Sequence, residues 1–326
     1  FNDRIGVDVT AYRTNTDNQI FLQALPVGSG ALSYYTNGGD VENTGIEVIL
    51  NTTPLKTRNF TWDLNVNFAR NRNTVKELSD EIPTLIVGGD TYMRNFVLEE
   101  GKPFGQIYGK GFMRDSKGRV IVGTNGLPQT TPGKTVLLGN VNPDWTGGVS
   151  SAFSWKNWSA SFVISHKQGG DIASFTDAIL YGEGLVEETL QGRDGGLLFG
   201  KNILQHIPAV KADGSENTVA VNAQQLWQFL GGRTAPVGEM FVRSATNTRL
   251  REFTLGYKLP EALFSKGPLA SVQVSLVGRN LFFLYREAEG LDPDYTQGTG
   301  TISEGFQSFA LPASRSFGAN IKINFK

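Results

Sequence analysis

Apolar and polar residues alternate without a break over residues 60–68. Phe60, Trp62, Leu64, Val66 and Phe68 fall on one parity, and Thr61, Asp63, Asn65 and Asn67 on the other. A period of two predicts a β-strand with one apolar and one polar face. Aromatic residues stand at both ends of the apolar face with aliphatic ones between them, the order expected where aromatic rings favour the two interfaces of a bilayer. The same alternation recurs at Ile5, Val7, Val9 and Ala11, at Ile46, Val48 and Leu50, and at Trp158, Ala160, Phe162 and Ile164. It returns at Phe253, Leu255, Tyr257 and Leu259, at Val272, Val274 and Leu276, and at Phe317, Ala319, Ile321, Ile323 and Phe325. A less regular pair of strands is predicted over residues 92–98 and 105–112. Residues 147–155 and 158–167 read as a hairpin around Lys156-Asn157. Short helices are predicted over residues 171–181 and 223–230, inside a long segment spanning residues 169–246.

Two features bear on what the apolar face meets. Arg4, Asp8, Glu47, Asp63, Lys258 and Lys322 all lie on the polar parity. A basic residue facing lipid at mid-bilayer costs about 2–4 kcal/mol, so lipid demands this segregation; a sandwich core would exclude charge as well. The second feature is the connections, which alternate between short and long. Short turns at one end and long loops at the other characterise outer-membrane barrels, and a soluble sandwich has no reason to sort its loops. The expectation is an all-β chain: a transmembrane antiparallel β-barrel segment of about ten strands, with long extracellular loops and its C-terminal end on the short-turn, periplasmic side. Its lipid-facing positions are expected to be Phe60, Trp62, Leu64, Val66, Phe68, Trp158, Phe162, Phe253, Leu255, Tyr257, Phe317, Ile321, Ile323 and Phe325.

Composition changes this picture little. The 326 residues carry a net charge of -1, which implies no nucleic acid partner, and no cysteine, which excludes disulfides and thiolate metal sites. No run of 18 apolar residues suggests a membrane-crossing helix. The first residue is Phe1 rather than Met, and the chain reads as an internal or mature piece of a longer protein.

Enzyme chemistry has weak support, and no catalytic residue, metal or cofactor is expected. His166 ends a strand and His206 lies in the long segment, and neither has a motif supplying a nucleophile or an orienting carboxylate. Gly126 and Gly133-Lys134-Thr135 lack the spacing of a phosphate loop. Asp292, Asp294 and Thr296 resemble the opening of a calcium loop, but Gln297 stands where Gly is required and Ser303 where Glu is. Asn157-Trp158-Ser159 matches a glycosylation acceptor and is read as incidental in a strand turn. Arg243, Arg249 and Arg251 read as rim charges contacting headgroups or loop carboxylates, or else as a positive collar facing substrate.

Several segments, in order, resemble the SusC/RagA-like TonB-dependent outer-membrane transporters of Bacteroidota. They are EGKPFGQIYG (residues 100–109), RDSKGRV (114–120), GNVNPDWTGGVSSAFSWKNWSASF (139–162), GGDIASFTDAIL (169–180), FVRSATNTRLREFTLGYKLP (241–260), VGRNLFFLYREAEGLDPD (277–294) and LPASRSFGANIKINF (311–325). The resemblance implies that residues 1–326 are a C-terminal portion of a barrel of about 22 strands. The plug domain, the TonB-contacting box and the earlier strands have no counterpart in this sequence. The family usually ends on an aromatic residue, whereas Lys326 follows Phe325 here. The implied function is energy-coupled import of a bulky nutrient, an oligosaccharide or a peptide. The implied partners are a SusD-like surface lipoprotein, outer-membrane lipid, and the TonB-ExbB-ExbD motor acting through the N-terminal part. Tyr34, Tyr35, Trp227, Phe229, Arg243 and Tyr285 are the candidate contacts to substrate or lid, because aromatic faces stack on sugar rings and apolar side chains; packing within the loops is the competing reading for each aromatic. Two other functions stay open: a passive outer-membrane pore and a β-rich surface binding module.

Overall fold

Eight long strands form one antiparallel sheet in which each strand pairs with the next of the eight along the chain. They are β1 (Ile5–Thr16), β2 (Gly39–Lys56), β3 (Phe60–Leu78), β4 (Pro143–Trp155), β5 (Trp158–Gly169), β6 (Asn247–Lys258), β7 (Leu269–Arg286) and β8 (Ser316–Phe325). This is a computed structural model, and it describes residues 4–25, 27–31, 33–37, 39–78, 84–89, 92–193, 195–264, 267–294 and 304–326. The turns β2–β3, β4–β5 and β6–β7 are short and lie at one end of the sheet. The connections β1–β2, β3–β4, β5–β6 and β7–β8 are long and lie at the other. The alternation of short and long connections expected from the sequence is therefore present.

The strands are staggered. A row of directly paired residues runs from Val9 through Val48, Phe68, Gly147, His166 and Thr248 to Tyr285. There it lies beyond Arg279, the last residue of β7 that β8 pairs. Such progressive slippage is the register of strands tilted against a barrel axis. The outer edges of β1 and β8 are unpaired among the described residues.

Eight strands form this sheet where the sequence pattern suggests about ten. The expected pair at residues 92–112 exists but belongs elsewhere. Arg94–Glu99 and Gln106–Gly109 join Val136–Asn140 and Thr84–Gly89 in a separate four-stranded sheet within the long β3–β4 connection. At six and four residues they are too short to cross a bilayer, which takes about 9–11 residues of tilted strand. Phe96, Leu98 and Ile107 on these strands are buried in protein instead. The apolar-polar alternation read from the sequence ends at Phe68, yet β3 continues to Leu78 and its upper part pairs with β2.

The buried core lies in an unusual place for a β protein. Among the described residues, all four apolar clusters are built from the long connections, joined from the long strands only by Val75 and Leu78 at the top of β3. The largest gathers Phe112, Val120, Leu197, Phe199, Leu226, Trp227 and Leu230. Two helices stiffen this region. In α1 (Phe175–Gly182) the Ser174 hydroxyl caps the first turn by accepting from the Asp177 N–H. In α2 (Ala223–Leu230) the Asn222 side chain accepts from the N–H groups of Gln224 and Gln225. Each cap satisfies donors that a helix start leaves unpaired. The expected helix over 223–230 forms with those bounds, and the one over 171–181 starts later because Asp171–Ser174 is a strand.

Candidate functional site

Directly opposed residues of paired strands share a face, so the register fixes what each side of the sheet presents. One row joins Phe60, Trp155, Trp158, Tyr257, Val274 and Ile321, and the next joins Trp62, Phe153, Ala160, Leu255, Leu276 and Ala319. Above them run Leu64, Ser151, Phe162, Phe253, Gly278 and Phe317, and then Leu50, Val66, Val149, Ile164 and Leu250. The register thus brings every residue expected to face lipid onto one apolar face. No other part of the described chain covers it: Phe317 is 79% exposed and Ile321 63% exposed.

Aromatic rings mark both borders of this face. Near the short turns Trp158 packs on Tyr257 with ring centroids 4.6 Å apart. Near the long loops Phe68 meets Trp145 at 5.6 Å, and Trp145 meets His166 at 4.5 Å. From Trp145 to Trp155 on β4 the ten residue steps span about 33 Å along the strand, or about 25 Å across a bilayer at a tilt of about 40°. That matches the apolar band of an outer-membrane barrel. Polar atoms on this face find partners: the Trp62 Nε1–H donates to Ser151 Oγ at 2.9 Å, and His166 Nδ1 lies 2.8 Å from Thr248 Oγ1. His166 is therefore part of the aromatic border.

The opposite face is polar and laced by hydrogen bonds. Thr53 donates to Asp63 at 2.7 Å, Gln273 to Ser159 at 3.2 Å, and the Arg279 guanidinium to Glu252 at 2.8 Å. Two open hollows lie on this side, of about 500 Å³ beside Asp63, Asn65 and Ser150 and about 480 Å³ beside Thr254, Ser275 and Asn320. Ile49, Val163 and Val277 are apolar exceptions on the same parity. The sheet therefore has the two chemically distinct sides that a barrel wall between lipid and a wet lumen requires.

A bulge on β6 keeps charge off the apolar face. Strict alternation from Phe253, Leu255 and Tyr257 would turn Arg251 and Arg249 outward. Instead Glu252 pairs with Val163 and Leu250 with Ile164, which leaves Arg251 without a partner on β5 and resets the parity. Leu250 then faces outward, and Arg249 and Arg251 face the polar side. Arg249 is buried, 3.2 Å from Asp292 and 3.5 Å from Asp294, with its guanidinium 4.6 Å from the Phe283 ring centroid. Arg251 reaches Asp294 at 2.7 Å and Ser165 Oγ at 2.6 Å. Of the two readings of these arginines, the structure carries the pairing with loop carboxylates. The same contacts account for the calcium-like spacing, since Asp292 and Asp294 serve as counter-ions; Thr296 lies outside the described residues.

The six candidate contacts to substrate or lid do not converge. Trp227 is 2% exposed and packs on Tyr181 at 5.5 Å, so it is a core residue. Phe229 packs against the same cluster. Arg243 pairs with Asp177 at 3.3 Å. Tyr285 shares the outward row of Phe68 and Val48, and its hydroxyl donates to Glu287 at 3.1 Å, so it borders the apolar face rather than the lumen. Tyr34 and Tyr35 alone of the six stand exposed on a loop, on the hairpin of Ile20–Ala24 with Ser33–Asn37. The sequence signal that separates the two kinds is spacing: Leu226, Trp227 and Leu230 recur at helical intervals, which marks a buried helix face. Replacing Trp227 by alanine is expected to cost the loop core about 3–5 kcal/mol. Proteolysis of residues 183–237 should accelerate while the eight-stranded sheet keeps its resistance.

The Asn140-Val141-Asn142-Pro143-Asp144 stretch locks the loop core to the top of the sheet. Asp171 accepts from the Asn140 N–H at 2.8 Å, and Gly305, whose carbonyl accepts from the Ala173 N–H at 2.7 Å, packs on Val141 so tightly that a Cβ there would lie 2.3 Å from a Val141 methyl. Burial pushes the Asp171 carboxyl above its usual range, the Asn140 N–H pulls it back in part, and the charges of Asp144 and Glu287 raise it further. A raised carboxyl contributes its full stability below the unfolded value and loses it as pH rises through the folded value. Asp171 therefore weakens the loop core at neutral pH. Asp171→Asn keeps an acceptor for Asn140 and is expected to raise the loop-core melting temperature at pH 7 with little change near pH 3, read by thermal melts across that range.

Comparison with known proteins follows the same architecture. Residues 1–186 match the family described as TonB dependent receptor-like, beta-barrel. TonB-dependent receptor P3 of Formosa agariphila is 24% identical over 352 residues, covering 100% of this chain and 33% of that protein. The TonB-dependent receptor SusC of Bacteroides thetaiotaomicron is 24% identical over 339 residues, covering 99% of this chain and 30% of that protein. A chain of the RagAB peptide transporter structure superposes with a TM-score of 0.69 at 22% identity, over 99% of this chain and 34% of that one. The chain thus spans about a third of the length of the curated relatives it matches.

Proposed function

Because the chain belongs to the TonB-dependent receptor-like β-barrel family, an outer-membrane family, we propose that it forms part of the wall and extracellular loop cap of an active importer for a bulky nutrient. The observation that carries this reading is the inverted burial. The apolar side of the eight-stranded sheet lies open, the polar side bears the hollows, and the buried core sits among the loops at one end. Lipid satisfies the first, a water-filled lumen the second, and an extracellular cap the third. The unpaired edges of β1 and β8 would be closed by further strands of a larger barrel, since closure is what removes exposed edges.

The proposed cargo is an oligosaccharide or a peptide. RagAB, whose fold this chain shares, is a peptide transporter, and the likeness to SusC supports a SusD-like surface lipoprotein as partner. Energy would come from TonB-ExbB-ExbD through parts of the protein beyond the residues described. Tyr34 and Tyr35 are the exposed loop aromatics of this cap best suited to cargo or lid contact. No catalytic role is proposed.

The test is to purify the full-length protein from outer membranes in mild detergent and identify what comes with it by mass spectrometry. A stoichiometric surface lipoprotein, together with nutrient uptake that stops when TonB is deleted, is the expected result. A barrel recovered alone, with uptake indifferent to TonB, would favour a passive pore.

A further inference from the structure

Above the aromatic border the outward face changes sign. The row of Val9, Val48 and Phe68 is followed by Ala11, Ile46 and Arg70, and then by Arg13, Thr44 and Arg72. The outward parity of β3 therefore runs Phe60, Trp62, Leu64, Val66, Phe68 and then Arg70 and Arg72. Two arginines face outward just above the last aromatic row, at the depth of lipid headgroups. Arg70 and Arg72 make no ion pair among the described residues, whereas nearby Arg13 and Lys76 both bind Glu42, Lys76 at 2.8 Å.

A notch stands beside them. Pairing of β3 with β4 stops at Ala69 and Thr146. Above that point the two strands part, and a hollow of about 420 Å³ opens between Arg70 and Arg72 on one side and Asn140, Asn142, Pro143 and Asp144 on the other. Asp144 is the one carboxylate lining it among the described residues, so the two arginines leave it net positive. Guanidinium groups prefer phosphate, which they bind through paired N–H donors.

We propose that this notch holds the phosphate group of an outer-leaflet lipid, with Arg70 and Arg72 as its ligands. The phosphate sits above Phe68 and Trp145, and its acyl chains lie down the apolar face beneath. The inference rests on the outer-membrane placement of the sheet. It adds a headgroup site to the lipid-facing side, away from the cargo path.

The full-length protein, purified in mild detergent, is mixed with a phosphorylated glycolipid, with the same lipid stripped of phosphate, and with inorganic phosphate. Retained lipid is counted by native mass spectrometry. The expected result is retention of the phosphorylated lipid that weakens at least about tenfold in Arg70→Gln/Arg72→Gln, with no competition by inorganic phosphate at equal concentration. Equal retention of the two lipids, or retention unchanged by the double substitution, would overturn the proposal. Competition by inorganic phosphate at equal concentration would make this a free-anion site and overturn it too. If the glutamine pair fails to assemble, Arg70→Lys/Arg72→Lys and the single Arg72→Gln supply the comparison: retention should persist in the first and fall in the second. Heat-modifiable gel mobility of the wild type separates the two levels, since its loss would contradict the barrel itself and its presence with no lipid preference would contradict only the site.

Discussion

Replacing Val66 by arginine is expected to abolish or severely reduce the folded protein in outer membranes. Val66 stands in the outward row that joins Leu50, Val149, Ile164 and Leu250, with Val48 and Phe68 above it and Leu64 and Phe162 below. An arginine there meets hydrocarbon and costs about 2–4 kcal/mol. It cannot escape by the route that Arg251 takes, because the register of β3 with β2 and β4 is unbroken around it. Ser150 is the control. It lies one step away in depth on the opposite face and lines an open polar hollow, so Ser150→Arg should assemble at near wild-type level. Heat-modifiable mobility of outer-membrane fractions reads both. Equal tolerance of the two substitutions would mean that the faces are not chemically distinct.

The second large effect is expected at Arg249. Its side chain is 4% exposed, and Asp292 beside it is 8% exposed. Removing one partner of a buried pair leaves an uncompensated charge and costs about 3–5 kcal/mol. Arg249→Met should release the turn at 288–294 from the inner side of β5 and β6, because the remaining cations, Arg251 and Lys167, contact Asp294 but not Asp292. Hydrogen exchange is expected to accelerate across residues 287–294 and the top of β6, with the lower halves of the strands unchanged. Arg279→Gln breaks an exposed pair with Glu252 and should change stability by only about 0–1 kcal/mol.

These two residues also mark what the sequence does and does not disclose. The face of Val66 is legible because alternation survives through residues 60–68 and because the neighbours of each strand repeat it. The orientation of Arg249 is not legible, since one extra residue at Arg251 reverses the parity and no local signal announces a bulge. For the same reason the strands at residues 94–99 and 106–109 look like further wall strands: their apolar residues carry no mark of whether lipid or loop core covers them, and only their length gives them away. Trp227 was readable as a core residue from helical spacing, yet a loop aromatic invites a binding role. Arg70 and Arg72 lay in reach as well. Counting the Phe60 parity two steps beyond Phe68 arrives at them, but a polar stretch reads as the end of a strand unless its partner strand is known.

The most direct test of the central claim uses the absence of cysteine from these 326 residues, with any cysteine elsewhere in the full-length protein replaced by serine. Single cysteines are introduced along β3 and β4 at Leu64, Asn65, Val66, Asn67, Val149 and Ser150 of the full-length protein, spin-labelled, and reconstituted in lipid. Collision with oxygen, which concentrates in hydrocarbon, is compared with collision with a water-soluble nickel complex. The prediction is strict alternation, with oxygen favoured at Leu64, Val66 and Val149 and the nickel complex favoured at Asn65, Asn67 and Ser150. Labels at the apolar positions that meet neither reagent would place that face against protein, and would contradict the assignment of this sheet as a membrane-spanning wall.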